Sequence, residues 1–196
     1  MDAPGGTSLR HRLREKLPEI LIEAASVVLA LLLALALNGW NENRQVRERA
    51  ATARAAILAE LGENRREINE AQPKLKAIVD SLNAALAKDA PPSHEMQVNL
   101  GVSLLSAAAW HAALATDATQ TIDFAWMTRV AKVYEVQESY LHVQSQAMDQ
   151  LGSIPADPTL GGPKIAASLV PRLSMLSQLA DGLAKSYDDI LGPGNP

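Results

Sequence analysis

One run of apolar residues, 20–40 (ILIEAASVVLALLLALALNGW), constrains this chain more than any other feature in it. At 1.5 Å of helix rise per residue, 21 residues reach about 31 Å, the thickness of a bilayer's hydrocarbon core. Its only charge is Glu23, and it ends on Trp40. These two stand seventeen residues apart, about 25 Å, so they can lie near opposite interfaces. Trp40 suits the headgroup belt as an interface anchor, and Glu23 can reach the near headgroups or stay protonated.

Three readings of this segment are open. The favoured one is an uncleaved signal anchor. The second is a signal peptide cleaved after Ala36: Arg10, Arg12, Arg14 and Lys16 form a basic lead, and Ala34-Leu35-Ala36 is a small-x-small site. Against cleavage, no Pro or Gly breaks the helix just before Ala34, and the run is long. The third reading is a buried helix of a soluble protein. Basic residues are balanced across the segment, with Arg44, Arg47, Arg49 and Arg54 soon after it, so charge asymmetry says little about orientation. A short tail followed by a large domain favours a cytoplasmic N-terminus and a periplasmic main domain. Along the segment, Glu23, Ser26, Ala30, Ala34 and Asn38 follow helical spacing and form one stripe. Small residues there allow close helix packing, with Glu or Asn available to hydrogen-bond across it. The alternative is that the stripe reflects the abundance of alanine.

The chain divides into a basic tail (1–19), the apolar segment (20–40), a helical bundle (41–191) and a short tail (192–196). With no cysteine, disulfides, zinc–thiolate sites and cysteine nucleophiles are excluded. Aromatics at 4% and frequent alanine favour helix over strand, and no strand pattern is found. After Asn41, seam positions recur at Ala53, Ile57, Leu61, Asn64, Ile68, Ala71, Leu75, Ile78, Leu82 and Ala85. From Ile57 the steps alternate four and three, a heptad seam that Asn64 can hold in register. Pro73 is expected to kink or restart this helix. Arg47, Glu48, Glu60, Glu63, Arg65, Arg66, Glu67 and Glu70 read as a solvated outer face with i,i+4 pairs.

Residues 88–93 break the pattern. A helix is predicted from an N-cap at Ser93 to about Ser106, then a short one over 110–115 and a turn over 117–121. The next helix, 122–151, points Trp126, Val130, Val133, Gln137, Leu141, Gln144, Met148 and Leu151 inward. A loop is predicted over 152–163. A last helix over 164–191 has a seam of Ile165, Leu169, Leu173, Leu176, Leu183, Tyr187 and Ile190, with Pro171 expected to bend or restart it. The fold class is therefore all-α: one transmembrane helix continuing, without a hinge after Trp40, into an antiparallel helical bundle.

Chemistry is sparse. The four histidines are His11, His94, His111 and His142. Glu138 and His142 share a helix face with Glu135 one turn back, a spacing for two metal ligands, but further ligands are wanting and a surface pair is the simpler reading. His111 beside Trp110 is expected to be packed or half-buried. GxSxG, SxxK, GxGxxG and P-loop patterns are absent. Trp110, Trp126, Tyr134 and Tyr140 read as core, or alternatively as the lining of a small apolar pocket. Outside the membrane flanks the basic residues make no nucleic-acid footprint.

Two stretches carry a resemblance: Glu23 with ALLLALALNGWNENRQ and AILAELGENRREI, and AAAWHAAL with IDFAWMTRVAKVYEVQESY, including Trp110, Tyr134 and Gln137. They resemble a family of small bacterial single-pass inner-membrane proteins defined as a domain of unknown function. Ala30 stands where such helices often carry Gly, a departure that bears on how closely the helix packs. The resemblance implies an inner-membrane anchor, a helical extracytoplasmic domain and no established activity. The expectation is a non-enzymatic membrane protein without cofactor. Its partners are the lipid bilayer and another membrane protein or a second copy, not nucleic acid. The alternative is a cleaved periplasmic protein binding a small apolar ligand or metal within the bundle.

Overall fold

The structure is a computed structural model and describes residues 7–87, 100–154 and 162–192, with side chains from residue 21 onward in the first stretch. Every regular element among them is helical: α1 (Thr7–Ala87), α2 (Ala108–Leu114), a single 3-10 turn (Asp117–Thr119), α3 (Phe124–Ser153) and α4 (Gly162–Leu191). The chain forms two compact units, residues 1–49 and 50–196. The predicted cap at Ser93, the break at 88–93 and His94 lie outside the described residues, as do His11's side chain, residues 155–161 and most of the C-terminal tail.

In the first unit α1 carries one stretch long and apolar enough to cross a membrane, and none of it is buried in the protein. The described side chains from Leu21 to Leu37 are all exposed; Leu21 is 61% and Leu37 64% exposed.

The second unit is built on three seams that alternate steps of three and four residues. α1 buries Ile57, Leu61, Asn64, Ile68, Leu75 and Leu82; α4 buries Ala166, Leu169, Leu173, Leu176, Ala180, Leu183, Tyr187 and Ile190. α3 buries Trp126, Val130, Val133, Gln137, Tyr140, Gln144 and Ala147. That differs from the expected α3 series, in which Leu141 and Met148 point inward. Leu141 is half-buried and Met148 exposed, because strict alternation passes from Gln137 to Tyr140, then Gln144 and Ala147. The bulk of Leu and Met does not move a helix face by 100°, and the tyrosine and the small alanine fill the seam instead. In α4, likewise, Ala166 is buried where Ile165 was expected and Ile165 is half-buried.

Cross-helix bonds fix the directions. Gln150 Nε2 donates to Ser168 O (2.7 Å) and Arg172 Nη1 to Gln146 O (3.1 Å), so α4 runs antiparallel to α3. Arg65 pairs with Asp188 at 2.7 Å, and Gln72 donates to Asp181, so α4 is antiparallel to α1 as well. α1 and α3 run parallel: Arg54 lies 4.9 Å over the Trp126 ring, and Asn64 meets Gln137 further along. Of the residues between them, 100–110 run back along the two helices: Ser103 meets Gln144, Ser106 meets Gln137, and Trp110 stacks on Tyr134.

Neither Pro73 nor Pro171 restarts its helix. α1 runs through Pro73, which is exposed, and α4 contains Pro171. A helical proline withholds one N–H and crowds the preceding turn. The carbonyl that Pro171 leaves without its usual N–H is that of Ala167, four residues back; the next carbonyl, Ser168 O, accepts from the Gln150 amide across the interface with α3. α3 starts later than predicted, with Asp123 as N-cap; its Oδ1 accepts from Trp126 N at 2.8 Å. The expected loop is correspondingly shorter, since residues 152, 153, 162 and 163 are helical.

Candidate functional site

Residues 100–107 contradict the helix predicted through Ser106: they are not helical but form a strap lying between α1 and α3. Ser103 N donates to Gln144 Oε1 (3.0 Å), and Gln144 Nε2 donates back to Ser103 O (3.2 Å). Ser106 N donates to Asn64 Oδ1 (2.9 Å), and Asn64 Nδ2 donates back to Ser106 O (2.7 Å). A carboxamide offers one acceptor and adjacent donors, as a peptide group does. Each amide thus pairs with a backbone residue as a neighbouring strand would. These bonds are what keep eight residues with fair helix propensity out of a helix.

The amides are themselves tied together. Gln137 Nε2 also donates to Ser106 O (2.9 Å), while its Oε1 accepts from Asn64 Nδ2 (3.0 Å) and from Tyr187 OH (2.8 Å). Ser103 Oγ meets Tyr140 OH at 3.1 Å. Asn64, Ser103, Gln137 and Gln144 are all buried, so these bonds satisfy groups that would otherwise be costly to bury.

Glu60 completes the layer, and it departs from the solvated face expected of it. It is half-buried and accepts four bonds: Ser106 Oγ (2.6 Å), Ala109 N (2.9 Å), Trp110 N (3.4 Å) and Tyr134 OH (2.7 Å). Two of these donors are free N–H groups of α2's first turn, which Ala107 has no side chain to cap. The Ser106 hydroxyl takes a third, from Ala108 N at 3.2 Å. Burial pushes the Glu60 carboxyl up, but the bonds from Ser106, Ala109, Tyr134 and Trp110 outweigh it and hold the group below the usual value of 4.5. Burial, then Glu60, push the Tyr134 phenol well above its ordinary value; the same two causes raise Tyr187, and burial raises Tyr140. These shifts lead away from neutral pH, carboxylate down and phenols up. What the layer offers chemically is recognition of backbone by hydrogen bonds.

Trp110 stacks on Tyr134 with ring centres 5.2 Å apart, and both are buried with Trp126 and Tyr140 as core. An open cleft beside them is bordered by Leu105, Trp110, Tyr134 and Leu141, with Glu135 and Glu138 at its edge. His111, expected to be packed or half-buried, is exposed. His142 is exposed and its Nε2 meets Gln146 Nε2 at 2.8 Å. Among the described residues no three His, Cys, Asp or Glu residues are gathered for a metal ion. Trp126 Nε1 is buried with no hydrogen-bond partner there, its ring instead facing the Arg54 guanidinium.

The stripe residues Glu23, Ser26, Ala30, Ala34 and Asn38 all lie on α1 and are exposed, as is Trp40. Ser26 Oγ donates to Glu23 O at 2.7 Å, so its hydroxyl is turned back onto its own helix. The sequence had placed Asn64, Gln137 and Gln144 in seams without partners, and three amides in apolar seams were the signal for the strap. Glu60, one position from Leu61, carried no such signal. Comparison with protein-family models, with curated proteins and with solved structures finds no match for this chain.

Proposed function

We propose that the chain is a non-enzymatic, single-pass protein of the bacterial inner membrane. Its N-terminus is cytoplasmic, and its helical bundle is periplasmic and makes protein–protein contact as an accessory subunit or scaffold. We place it with the family of small membrane-anchored proteins that its junction and Trp helix resemble. One observation carries this reading. The bundle buries its own seams, whereas the leucines between residues 21 and 37 are 56–64% exposed, and none of the described residues covers them. A contiguous apolar rod is not sustained in water, and a bilayer is the solvent that suits it. The stripe of Glu23, Ser26, Ala30, Ala34 and Asn38 gives that rod a side for another helix.

The test is intact mass of the membrane-extracted chain after a carbonate wash. The full-length mass in the membrane pellet is expected; a soluble chain lacking residues 1–36 would sink the anchor. Ala30→Leu and Ala34→Leu are expected to abolish self-association or partner recovery from gently solubilised membranes. Unchanged oligomeric state and partners would dispose of the stripe.

A further inference from the structure

We propose that the outer side of the strap, with the two clefts beside it, is a docking surface for a basic amphipathic helix of a partner protein. The strap stays in place and forms part of that surface. This rests on the protein–protein reading above and names the chemistry of the partner.

The strap's inner side is closed. Ser103 and Ser106 bond the amides beneath them, and Ser103 is buried. Extended residues alternate sides, so Val102 and Leu104 turn outward; they are 50% and 80% exposed. Leu104 thus stands between two tethered residues, already in the place where a partner meets it. A backbone fixed in advance loses little freedom on binding.

A cleft lies on each side of this ridge. One of about 320 Å³ follows α1 beside Leu104, and one of about 430 Å³ follows α3 beside Leu105. Neither is lined by a Lys or Arg, and both are lined by carboxylates. On α1, Glu60 is committed to its four donors, which leaves Glu63 and Glu67. On α3 the carboxylates are Glu135 and Glu138. Glu63 has a long, exposed pair with Arg66 (3.9 Å), and Glu67, Glu135 and Glu138 make no ion pair with the described residues. The two rows stand level, because Asn64, next to Glu63, bonds Gln137, next to Glu138, at 3.0 Å.

This order of acid, apolar ridge and acid selects the occupant by charge and shape. Its complement is an apolar stripe with Lys or Arg on both flanks. A strand sets its same-side residues in a single row, whereas a helix presents a stripe together with its flanks. The methylene stems of those flanking cations lie along apolar walls such as Leu105 and Leu141, and their charged heads reach the glutamates.

The probe is a labelled peptide of about 14 residues, with leucines at helical spacing and lysines on both flanks. Its control carries glutamate at each lysine. Both are added to the full chain in phosphatidylcholine nanodiscs, and binding to empty nanodiscs is subtracted. The lysine peptide is expected to bind at least tenfold more tightly than the control. Leu104→Asp, and the pair Glu63→Lys with Glu138→Lys, are each expected to weaken it at least tenfold. All three side chains are exposed, so these variants keep the bundle's core intact. Asp80→Lys with Asp149→Lys makes the same change of charge at exposed residues that line neither cleft, and is expected to shift binding less than twofold.

Equal affinity for the two peptides, binding indifferent to Leu104→Asp, or an equal loss from the Asp80 and Asp149 pair overturns the proposal. A wild-type dimer that Leu104→Asp turns into a monomer would overturn the choice of a foreign partner in favour of a second copy. The Ala30→Leu and Ala34→Leu variants do not touch this surface, so failure here leaves the membrane-contact reading to its own test.

Discussion

Residues 21–49 and the described long helices from residue 50 onward are all α-helical, yet their side chains obey opposite rules. In the first region leucines and valines face outward all round the helix, and among described side chains only Gly39 and Val46 are even half-covered. In the second, each long helix buries a face of mainly apolar residues, and no Asp, Glu, Lys or Arg is among the buried residues described. The difference separates two sources of stability. A bundle seam is stabilised by its partners within the chain, so its energy is written into the fold. An all-round apolar helix has no such partner, and its stability belongs to the surroundings.

Truncation in the two regions should break this comparison first if it is wrong. Leu61→Ala or Leu173→Ala removes a fully buried seam residue and is expected to cost about 2–5 kcal/mol. Leu31→Ala, on the exposed run, is expected to leave the bundle's thermal midpoint unchanged. Equal shifts in calorimetry would mean that the two regions do not differ as described.

Gln137→Leu keeps the seam's shape but strands the Tyr187 hydroxyl and one Asn64 donor bond, and is expected to cost about 1–3 kcal/mol in denaturant titration. A neutral outcome would show the polar layer to be dispensable for stability.

Glu60→Gln is expected to cost about 1 kcal/mol at pH 7, partial exposure keeping it small. The sign of its pH dependence follows from a carboxyl held low in the folded chain. The ionised form's contribution is full above 4.5, the ordinary value, and is lost as pH falls through the lower folded value. The stability gap between wild type and Glu60→Gln should therefore close in acid; a gap that widens below pH 4.5 contradicts the assignment.

At the other end of the scale, Tyr187 is raised above its ordinary 10.0, so its contribution is full below pH 10.0 and declines as pH rises beyond it. Tyr187→Phe should flatten that alkaline decline in a pH-jump unfolding series. The smallest effect is reserved for Arg44→Ala, which breaks an exposed pair with Glu48 (2.8 Å) and is expected to leave the thermal midpoint unchanged.

Much of the bundle is legible as periodicity, because a seam obeys the same three-four rule in the sequence and in space. Ile57 to Leu82 and Leu169 to Ile190 are read that way with few slips. Where the rule and hydrophobicity disagree, as at Leu141 against Tyr140, the rule wins, since a helix turns by a fixed angle whatever its residues weigh. The strap is different in kind. Nothing in residues 100–107 themselves forbids a helix; the decision lies with Asn64, Gln137 and Gln144, up to 42 residues away in sequence. Glu60 is hidden for the same reason. Its neighbours in sequence are those of an exposed face, and its four donors come from the strap, α2 and α3.

The parallel course of α1 and α3 also has a consequence in time. α1 meets α3 and α4 across sequence separations of 72 (Arg54 to Trp126) to 123 (Arg65 to Asp188) residues, whereas α3 and α4 meet across 18 to 50. Low separation favours early pairing, so α3 and α4 are expected to pair before α1 docks. Yet α1 is the first helix made. At about 5–20 residues per second, roughly a hundred further residues take about 5–20 s to emerge. For that interval the seam from Ile57 to Leu82 has no partner from its own chain, and the newly made protein passes its most aggregation-prone moments as an unpaired helix.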